Sequence, residues 1–149
     1  GLTKKTPRFL CAQAENNSPV VQAFKNGWDK IRRAPEIGTI AHAIDNPFPP
    51  SGNRVLSELR CFDGAAVAVP EGDIVKAQAD LARCGLFAQP ASCVPLGALR
   101  QARGEGIVSE GQSAALILTG SGLKYTAAFA AHKLHWQDCG LEDLQKLLR

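Results

Sequence analysis

The chain has 149 residues, of which 45% are hydrophobic and 21% are charged, and its formal net charge is +3 at pH 7. This length and apolar content are those of one globular domain with its own hydrophobic core. The small charge excess does not favour a nucleic-acid-binding surface, and the opening residues have neither the pattern of a signal peptide nor that of a membrane span. The composition predicts a soluble protein with no nucleic-acid partner and no membrane partner.

The five cysteines are an odd number and form no C-x-x-C pair. This pattern is typical of reduced thiols in a cytoplasmic protein, where some of them serve as small core residues. Cys93 shows no neighbouring histidine that could activate it as a nucleophile, and we interpret it as a packing residue.

The first predicted elements are a strand and a helix. The strand is the apolar segment Phe9–Ala14, and the helix that follows is expected to be capped by Ser18 and to end at the Asn26–Gly27 pair. The next stretch contains four prolines around a short apolar segment, Thr39–Ile44, which we predict to be helical.

The central part of the chain predicts a helix followed by a buried strand. The helix begins at Ser51 or Asn53, and its inward face is predicted to comprise Val55, Leu59 and Phe62. The strand Ala65–Val69 is apolar on both faces, which is typical of strands covered by helices on both sides.

The remaining elements are three helices and one strand. Two helices are predicted at about 71–84 and 91–103, although Pro95 must lie in the first turn of the second helix or kink it. Ser113–Thr119 is predicted to be the third strand. An apolar stripe predicts a final helix that contains Leu141, Leu144 and Leu148.

Strands that alternate with helices of 10 to 14 residues predict an α/β fold, with a small, mostly parallel sheet and helices on both of its faces, in three layers. No linker or repeat divides the chain, so residues 1–149 are expected to form a single domain. Three strands are few for this length, because sheets usually contain about four to six. We therefore expect that further strands of the sheet are missing from this chain.

The third predicted strand ends in Thr119, Gly120, Ser121 and Gly122. In an open α/β sheet, ligands bind beyond the carboxyl ends of the strands, where small residues allow close approach to the backbone. The alternative is a glycine-marked strand exit whose threonine bonds only to local backbone. The segment is not a Walker phosphate-binding loop, because the required G-x-x-x-x-G-K-[ST] spacing is absent.

Four segments in order resemble the C-terminal half of the threonine synthase family, which belongs to the tryptophan-synthase-β-like, fold type II group of pyridoxal-phosphate enzymes. The resemblance covers residues 7–125, and residues 126–149 would be a C-terminal extension. The four segments are Thr39-Ile-Ala-His-Ala-Ile44 with Asn46-Pro47, Ala66-Val-Ala-Val-Pro-Glu-Gly-Asp-Ile74, Gly85-Leu-Phe-Ala-Gln-Pro-Ala-Ser92, and Leu116-Ile-Leu-Thr-Gly-Ser-Gly-Leu-Lys124.

The resemblance implies which residues contact the cofactor, pyridoxal phosphate. The hydroxyl of Thr119, next to Gly120, would lie against the pyridine nitrogen, and either Ala41 or Ala43 would lie near the ring face. Gln89 stands where the family commonly has glutamate, so that a neutral amide replaces a titratable group near the cofactor.

The resemblance also implies an activity, the conversion of O-phosphohomoserine and water to threonine and phosphate. No lysine of this chain lies in a segment that resembles the family's Schiff-base motif, and no glycine-rich phosphate loop is present. We therefore expect a C-terminal portion of the large cofactor domain, inactive alone, whose partner is the remaining N-terminal part of the same enzyme. Exposed apolar surface would make it self-associate or form homo-oligomers.

Two other functions remain open. One is a fragment of a related pyridoxal-phosphate-dependent threonine or serine dehydratase, since such enzymes share the fold and the strand-exit motif. The other is a stand-alone, non-catalytic α/β module that binds a small anion or assembles with a partner. The Thr-Ile-Ala-x-Ala-Ile and Val-Pro-Glu-Gly-Asp-Ile segments favour the synthase.

Histidines suggest two weaker sites. His132, His135 and Cys139 have a spacing that could place three zinc ligands on one side of a helix, but an amphipathic surface explains them better and we predict no metal site. His42 occupies the variable position of the Thr39–Ile44 segment. It is interpreted as a surface or partly buried residue, with the cleft as the alternative.

Overall fold

The computed structural model describes residues 6–127, 138–140, 142–143 and 146. Two strands and four α-helices lie in the first and longest of these ranges. They are β1 (Leu10–Ala14), α1 (Pro19–Lys25), α2 (Gly52–Cys61), β2 (Ala65–Val69), α3 (Glu71–Arg83) and α4 (Pro90–Gly104). Among the described residues, no helix is both long enough and apolar enough to cross a membrane.

The two strands form a parallel sheet, in register from Leu10 opposite Ala65 to Ala14 opposite Val69. Helices cover both of its faces. Side chains along a strand alternate between the two sides of the sheet, so each strand contributes to two cores. Val67 and Val69 of β2 belong to the core formed with α3 and α4, whereas Ala66 belongs to the core formed with α1 and α2. The predicted α/β fold with helices on both faces is confirmed.

The predicted third strand, Ser113–Thr119, is wrong. These residues have no regular secondary structure, and they pair with no strand in the described part of the chain. The side chain of Ile117 is 70% exposed and that of Leu118 is 40% exposed. An aliphatic segment becomes a strand only where a neighbouring backbone accepts and donates its hydrogen bonds, and no such neighbour lies beside 113–119 among the described residues.

The helix predicted to begin at Ser51 or Asn53 is confirmed as α2, but its inward face differs from the prediction. Leu56 and Leu59 are buried, while Val55 and Phe62 are 37% and 40% exposed. The exposed ring of Phe62 packs edge-on against Phe9, at 5.9 Å between ring centroids.

The first helix, α1, is capped by a side chain from the sheet. Ser18 occupies the N-cap position, but its hydroxyl donates to the Glu15 carbonyl instead of capping the helix. The side-chain oxygen of Gln13 on β1 accepts hydrogen bonds from the amides of Val20 and Val21, at 2.9 and 3.1 Å. A strand residue therefore satisfies two amide groups that the start of a helix leaves free.

The predicted helices near 71–84 and 91–103 are confirmed as α3 and α4. Pro95 lies in the second turn of α4, which continues through it to Gly104. The predicted helix at Thr39–Ile44 is reduced to a 3₁₀ turn at His42–Ile44. The final helix with Leu141, Leu144 and Leu148, and the histidines His132 and His135, lie outside the described residues.

Candidate cofactor-binding site

A small cavity lies between the Thr39–Ile44 segment, the start of α4 and the 3₁₀ turn Gly122–Lys124. Its volume is about 140 Å³. The residues that line it are Ile40, His42, Ala43, Gln89, Pro90, Ala91, Lys124 and Tyr125. Three of the four segments identified from the sequence therefore meet at one place, although their outermost residues, Thr39 and Lys124, are 85 positions apart in the chain.

The two alanines of the Thr39–Ile44 segment have different positions. Ala43 is exposed and lines the cavity, whereas Ala41 is fully buried in the core between β2, α3 and α4. The sequence left both residues open as the neighbour of the cofactor ring. Of the two, only Ala43 is accessible to a ligand in the cavity.

The segment after residue 119 lies antiparallel to the residues that precede α4. Ala88 and Ser121 form an isolated antiparallel bridge, and the Gln89 amide donates to the Gly120 carbonyl at 3.0 Å. A Cβ atom at Gly120 would lie 2.6 Å from the side-chain amide nitrogen of Gln89. A Cβ atom at Gly122 would lie 2.6 Å from the Phe87 ring. A larger residue at either position would therefore force the Gln89 or Phe87 side chain to move.

Thr119 is held by Ser92, in the first turn of α4. The two hydroxyl oxygens are 3.0 Å apart, and the Gly120 amide donates to the same Ser92 oxygen at 2.8 Å. Ser92 is only 1% exposed, while Thr119 is exposed. When Ser92 donates its proton to Thr119, the Thr119 proton is free for an acceptor on a ligand.

The Gln89 side chain lies at the cavity wall and is 8% exposed. Its neutral amide can both donate and accept, whereas a carboxylate could only accept. Two other lining residues, His42 and Tyr125, stack their rings at 5.6 Å between centroids with an interplanar angle of 18°. His42 is exposed, which confirms the interpretation as a surface residue, and it also lines the cavity, which was the alternative considered for it. Lys124 lines the same cavity and adds a positive charge.

Cys93 follows Ser92 and points into the core. It is fully buried, its thiol donates to the Gln89 carbonyl at 3.2 Å, and burial raises the pKa of Cys93 to about 11. A thiol that remains protonated and buried is a poor nucleophile, so the packing role is confirmed. In the part of the chain that the structure describes, no group of three potential metal ligands is found.

The sequence singled out five residues for this site, and the structure brings four of them close together. Gln89 and Ala43 line the cavity, and Thr119 and Gly120 bond to the first turn of α4. The sequence missed the roles of Ser92 and Tyr125. The position of Ser92, three residues after Gln89 at the start of a predicted helix, could have indicated its role. Nothing in the sequence indicated a role for Tyr125.

Comparison with known proteins places these residues in a family context. Residues 1–120 match the family model described as pyridoxal-phosphate dependent enzyme. The chain is 34% identical to the threonine synthase of Methanosarcina acetivorans over 125 residues, or 83% of this chain and 31% of that protein. It is 31% identical to the threonine synthase of Methanocaldococcus jannaschii over an alignment of 152 positions, which covers 100% of this chain and 38% of that protein.

The fold is similar to that of a solved threonine synthase from Escherichia coli. The TM-score is 0.68 at 20% sequence identity, over 91% of this chain and 31% of that one. The chain thus spans about a third of the length of the curated relatives it matches. The resemblance to the threonine synthase family is confirmed.

Proposed function

The chain belongs to the family of pyridoxal-phosphate dependent enzymes, and we propose that it forms the C-terminal portion of the cofactor domain of a threonine synthase. The observation that supports this most is that Gln89 lines the cavity while Ser92, in the same helix turn, bonds to Thr119, in segments that resemble that family. In this proposal the substrate of the complete enzyme is O-phosphohomoserine, and its products are threonine and phosphate.

The residues present fit one side of the cofactor. A pyridine nitrogen is a hydrogen-bond acceptor, and the Thr119–Ser92 pair contains a hydroxyl proton that can be donated to it. A flat aromatic ring needs small neighbours, and Ala43, Ala91 and the glycine at 120 provide them. A phosphate needs several donors in a loop, and we assign that function to a part of the enzyme beyond this chain.

Each of these residues has a separate role. The cofactor, when bound, supplies a conjugated ring that stabilises negative charge on the substrate carbon. Thr119 would hold the ring nitrogen with a neutral donor, which would leave this nitrogen unprotonated and make the ring a weaker acceptor of electrons. Ser92 orients Thr119 and the Gly120 amide together. Gln89 supplies an uncharged amide where a carboxylate would add a negative charge to the cavity wall.

The lysine that binds the cofactor covalently belongs, in this proposal, to another part of the enzyme. Lys124 is the one lysine that lines the cavity among the described residues, but it belongs to the motif that resembles the strand exit of the family. We therefore expect the 149-residue chain alone to be inactive and to form no covalent complex with pyridoxal phosphate.

The test is an assay of the full-length protein with pyridoxal phosphate and O-phosphohomoserine. We expect equal amounts of threonine and inorganic phosphate, and none from the isolated 149-residue chain. Formation of 2-oxobutanoate from threonine, without phosphate release from O-phosphohomoserine, would instead assign a dehydratase. Absence of any pyridoxal-phosphate binding by the full-length protein would contradict the proposal and favour a non-catalytic module.

A further inference from the structure

The Thr39–Ile44 segment forms one wall of the cavity, yet it has little regular structure of its own. Only its last three residues form a 3₁₀ turn, and its backbone does not join the sheet. A segment of this kind keeps its place through bonds to neighbouring elements. The contacts that hold it therefore determine the shape of the cavity.

One carboxylate makes two of these contacts. Glu71 is the first residue of α3 and follows the carboxyl end of β2. Its two oxygens accept hydrogen bonds from the Thr39 hydroxyl, at 2.5 Å, and from the Ile40 amide, at 2.9 Å. The Thr39 oxygen in turn accepts from the Ala41 amide at 3.1 Å, so that three consecutive residues depend on this carboxylate.

The carboxyl end of β1 fixes the two ends of the same segment. Asn16 donates to the Gly38 carbonyl at 2.9 Å, and Asn17 donates to the Asp45 carboxylate at 2.7 Å. Both strands of the sheet are thus followed by polar side chains that reach the segment, and Glu71 reaches its interior.

We propose that Glu71 is a positioning residue for the candidate cofactor site, because its carboxylate holds Thr39, Ile40 and Ala41 so that Ala43 lines the cavity. The hydrogen bonds of Glu71 do not depend on which ligand the cavity binds. Only the identification of that ligand as pyridoxal phosphate rests on the proposed function. Hydrogen bonds to a charged acceptor contribute more than those between neutral groups, so neutralising Glu71 should loosen the segment measurably.

The test compares Glu71→Gln with Asp73→Asn in the full-length protein. Both changes turn an acid in the first turn of α3 into its amide and remove the same charge near the helix start. Asp73 bonds to Lys76 on the surface and does not contact the Thr39–Ile44 segment through a hydrogen bond. Any difference between the variants therefore reports the contacts of Glu71 with the segment.

We expect hydrogen–deuterium exchange of a peptide covering residues 38–45 to be at least tenfold faster in Glu71→Gln, and unchanged in Asp73→Asn. Tenfold is the effect of about 1.4 kcal/mol, the lower end of the range for charge-assisted bonds. The dissociation constant for pyridoxal phosphate should rise about tenfold in Glu71→Gln only. Thr39→Val should act in the same direction, although the Ile40 amide keeps its bond to Glu71. The combined change should cost less than the sum of the two single changes, because the bond between Thr39 and Glu71 is lost in both.

Equal exchange in the two amide variants would overturn the proposal. Faster exchange with unchanged cofactor affinity would also overturn it, because the segment would then be held without a consequence for the site. If the wild-type protein binds no pyridoxal phosphate, the proposed function fails, while the exchange comparison still decides whether Glu71 holds the cavity wall.

Discussion

Two hydroxyl groups, those of Ser92 and Thr119, link the start of α4 to the segment that carries the cofactor-binding motif. Ser92 is buried and serves two partners at once, since it bonds to the Thr119 hydroxyl and accepts from the Gly120 amide. Burial raises the cost of leaving such a group unpaired. Ser92 thus connects the stability of this region to the orientation of Thr119.

Replacement of Ser92 by alanine should therefore be costly. The Gly120 amide and the Thr119 hydroxyl both lose their partner, and we expect the free energy of unfolding to fall by about 1–3 kcal/mol. Urea unfolding followed by circular dichroism measures this change. Ser57→Ala is the control, because Ser57 is exposed on α2 and alanine is the better helix former there; an equal loss in both variants would contradict the role of Ser92.

The buried thiol of Cys93 predicts a dependence of stability on alkaline pH. Burial raises the pKa of Cys93 from 9.0 to about 11 in the folded protein. Between these values the folded state holds a proton that the unfolded state has lost, so stability decreases as the pH rises through this range. We expect the decrease to be smaller in Cys93→Ala than in the wild type. Cys84→Ala, which removes an exposed thiol, should leave the pH dependence unchanged.

At the scale of elements, helix α4 packs directly against strand β2 through a glycine. A Cβ atom at Gly97 would lie 2.6 Å from a methyl group of Val69, which is closer than any real contact. The absence of a side chain at this position therefore sets the distance between the helix and the sheet, and with it the position of the Gln89–Ser92 turn at the start of the same helix.

Gly97→Ala should destabilise the protein by about 1–3 kcal/mol through overpacking. Gly104→Ala in the same helix meets no atom within 4 Å, and it should be neutral or stabilise the protein by up to about 1 kcal/mol. Comparing the thermal stability of the two variants shows whether the loss comes from packing at residue 97 or from any glycine-to-alanine change in this helix. A loss of stability from Gly104→Ala as large as that from Gly97→Ala would contradict the packing argument.

The sequence predicted those elements whose formation depends on local patterns. β1, β2, α3 and α4 were found because apolar periodicity and end signals agree along them. The strand at Ser113–Thr119 was predicted wrongly because its apolar run satisfies the same rules, while pairing depends on a neighbour that sequence periodicity does not reveal. The capping of α1 by Gln13 was also missed, since it joins residues brought together by the fold.

Those residues of the candidate site that lie in motifs resembling the family were predictable from the sequence. Thr119, Gly120, Ala43 and Gln89 were named from the sequence, and they lie at or beside the cavity. The hydrogen bonds of Ser92 and Glu71 were not predicted, because each joins residues about 30 positions apart. Such bonds become visible only when the loops at the ends of the strands have been placed.

At the scale of the whole molecule, apolar side chains remain at the surface. Ile117 and Leu123 are 70% and 74% exposed, and the two-stranded sheet has no further strand among the described residues. Unpaired strand edges and exposed apolar residues favour association. In the proposed enzyme this surface would contact the part that carries the reactive lysine and the phosphate loop.

The isolated 149-residue chain should therefore self-associate as its concentration rises. Light scattering measures the mass of the particles in solution. Ile117→Lys should reduce association because it places a charge in the exposed segment 113–119. Ser113→Lys adds the same charge at an exposed polar position of that segment and should have a smaller effect. A monomer at all concentrations would contradict this prediction.

The proposed cofactor site depends on one hydrogen bond, which the Thr119 hydroxyl would donate to the ring nitrogen of pyridoxal phosphate. The most direct measurement is the nitrogen NMR shift of ring-labelled pyridoxal phosphate bound to the full-length protein. We predict the shift of an unprotonated, hydrogen-bonded nitrogen in the wild type and in Thr119→Ser, and a change toward an unbonded nitrogen in Thr119→Val. An identical shift in all three proteins, or a protonated nitrogen in the wild type, would contradict the account.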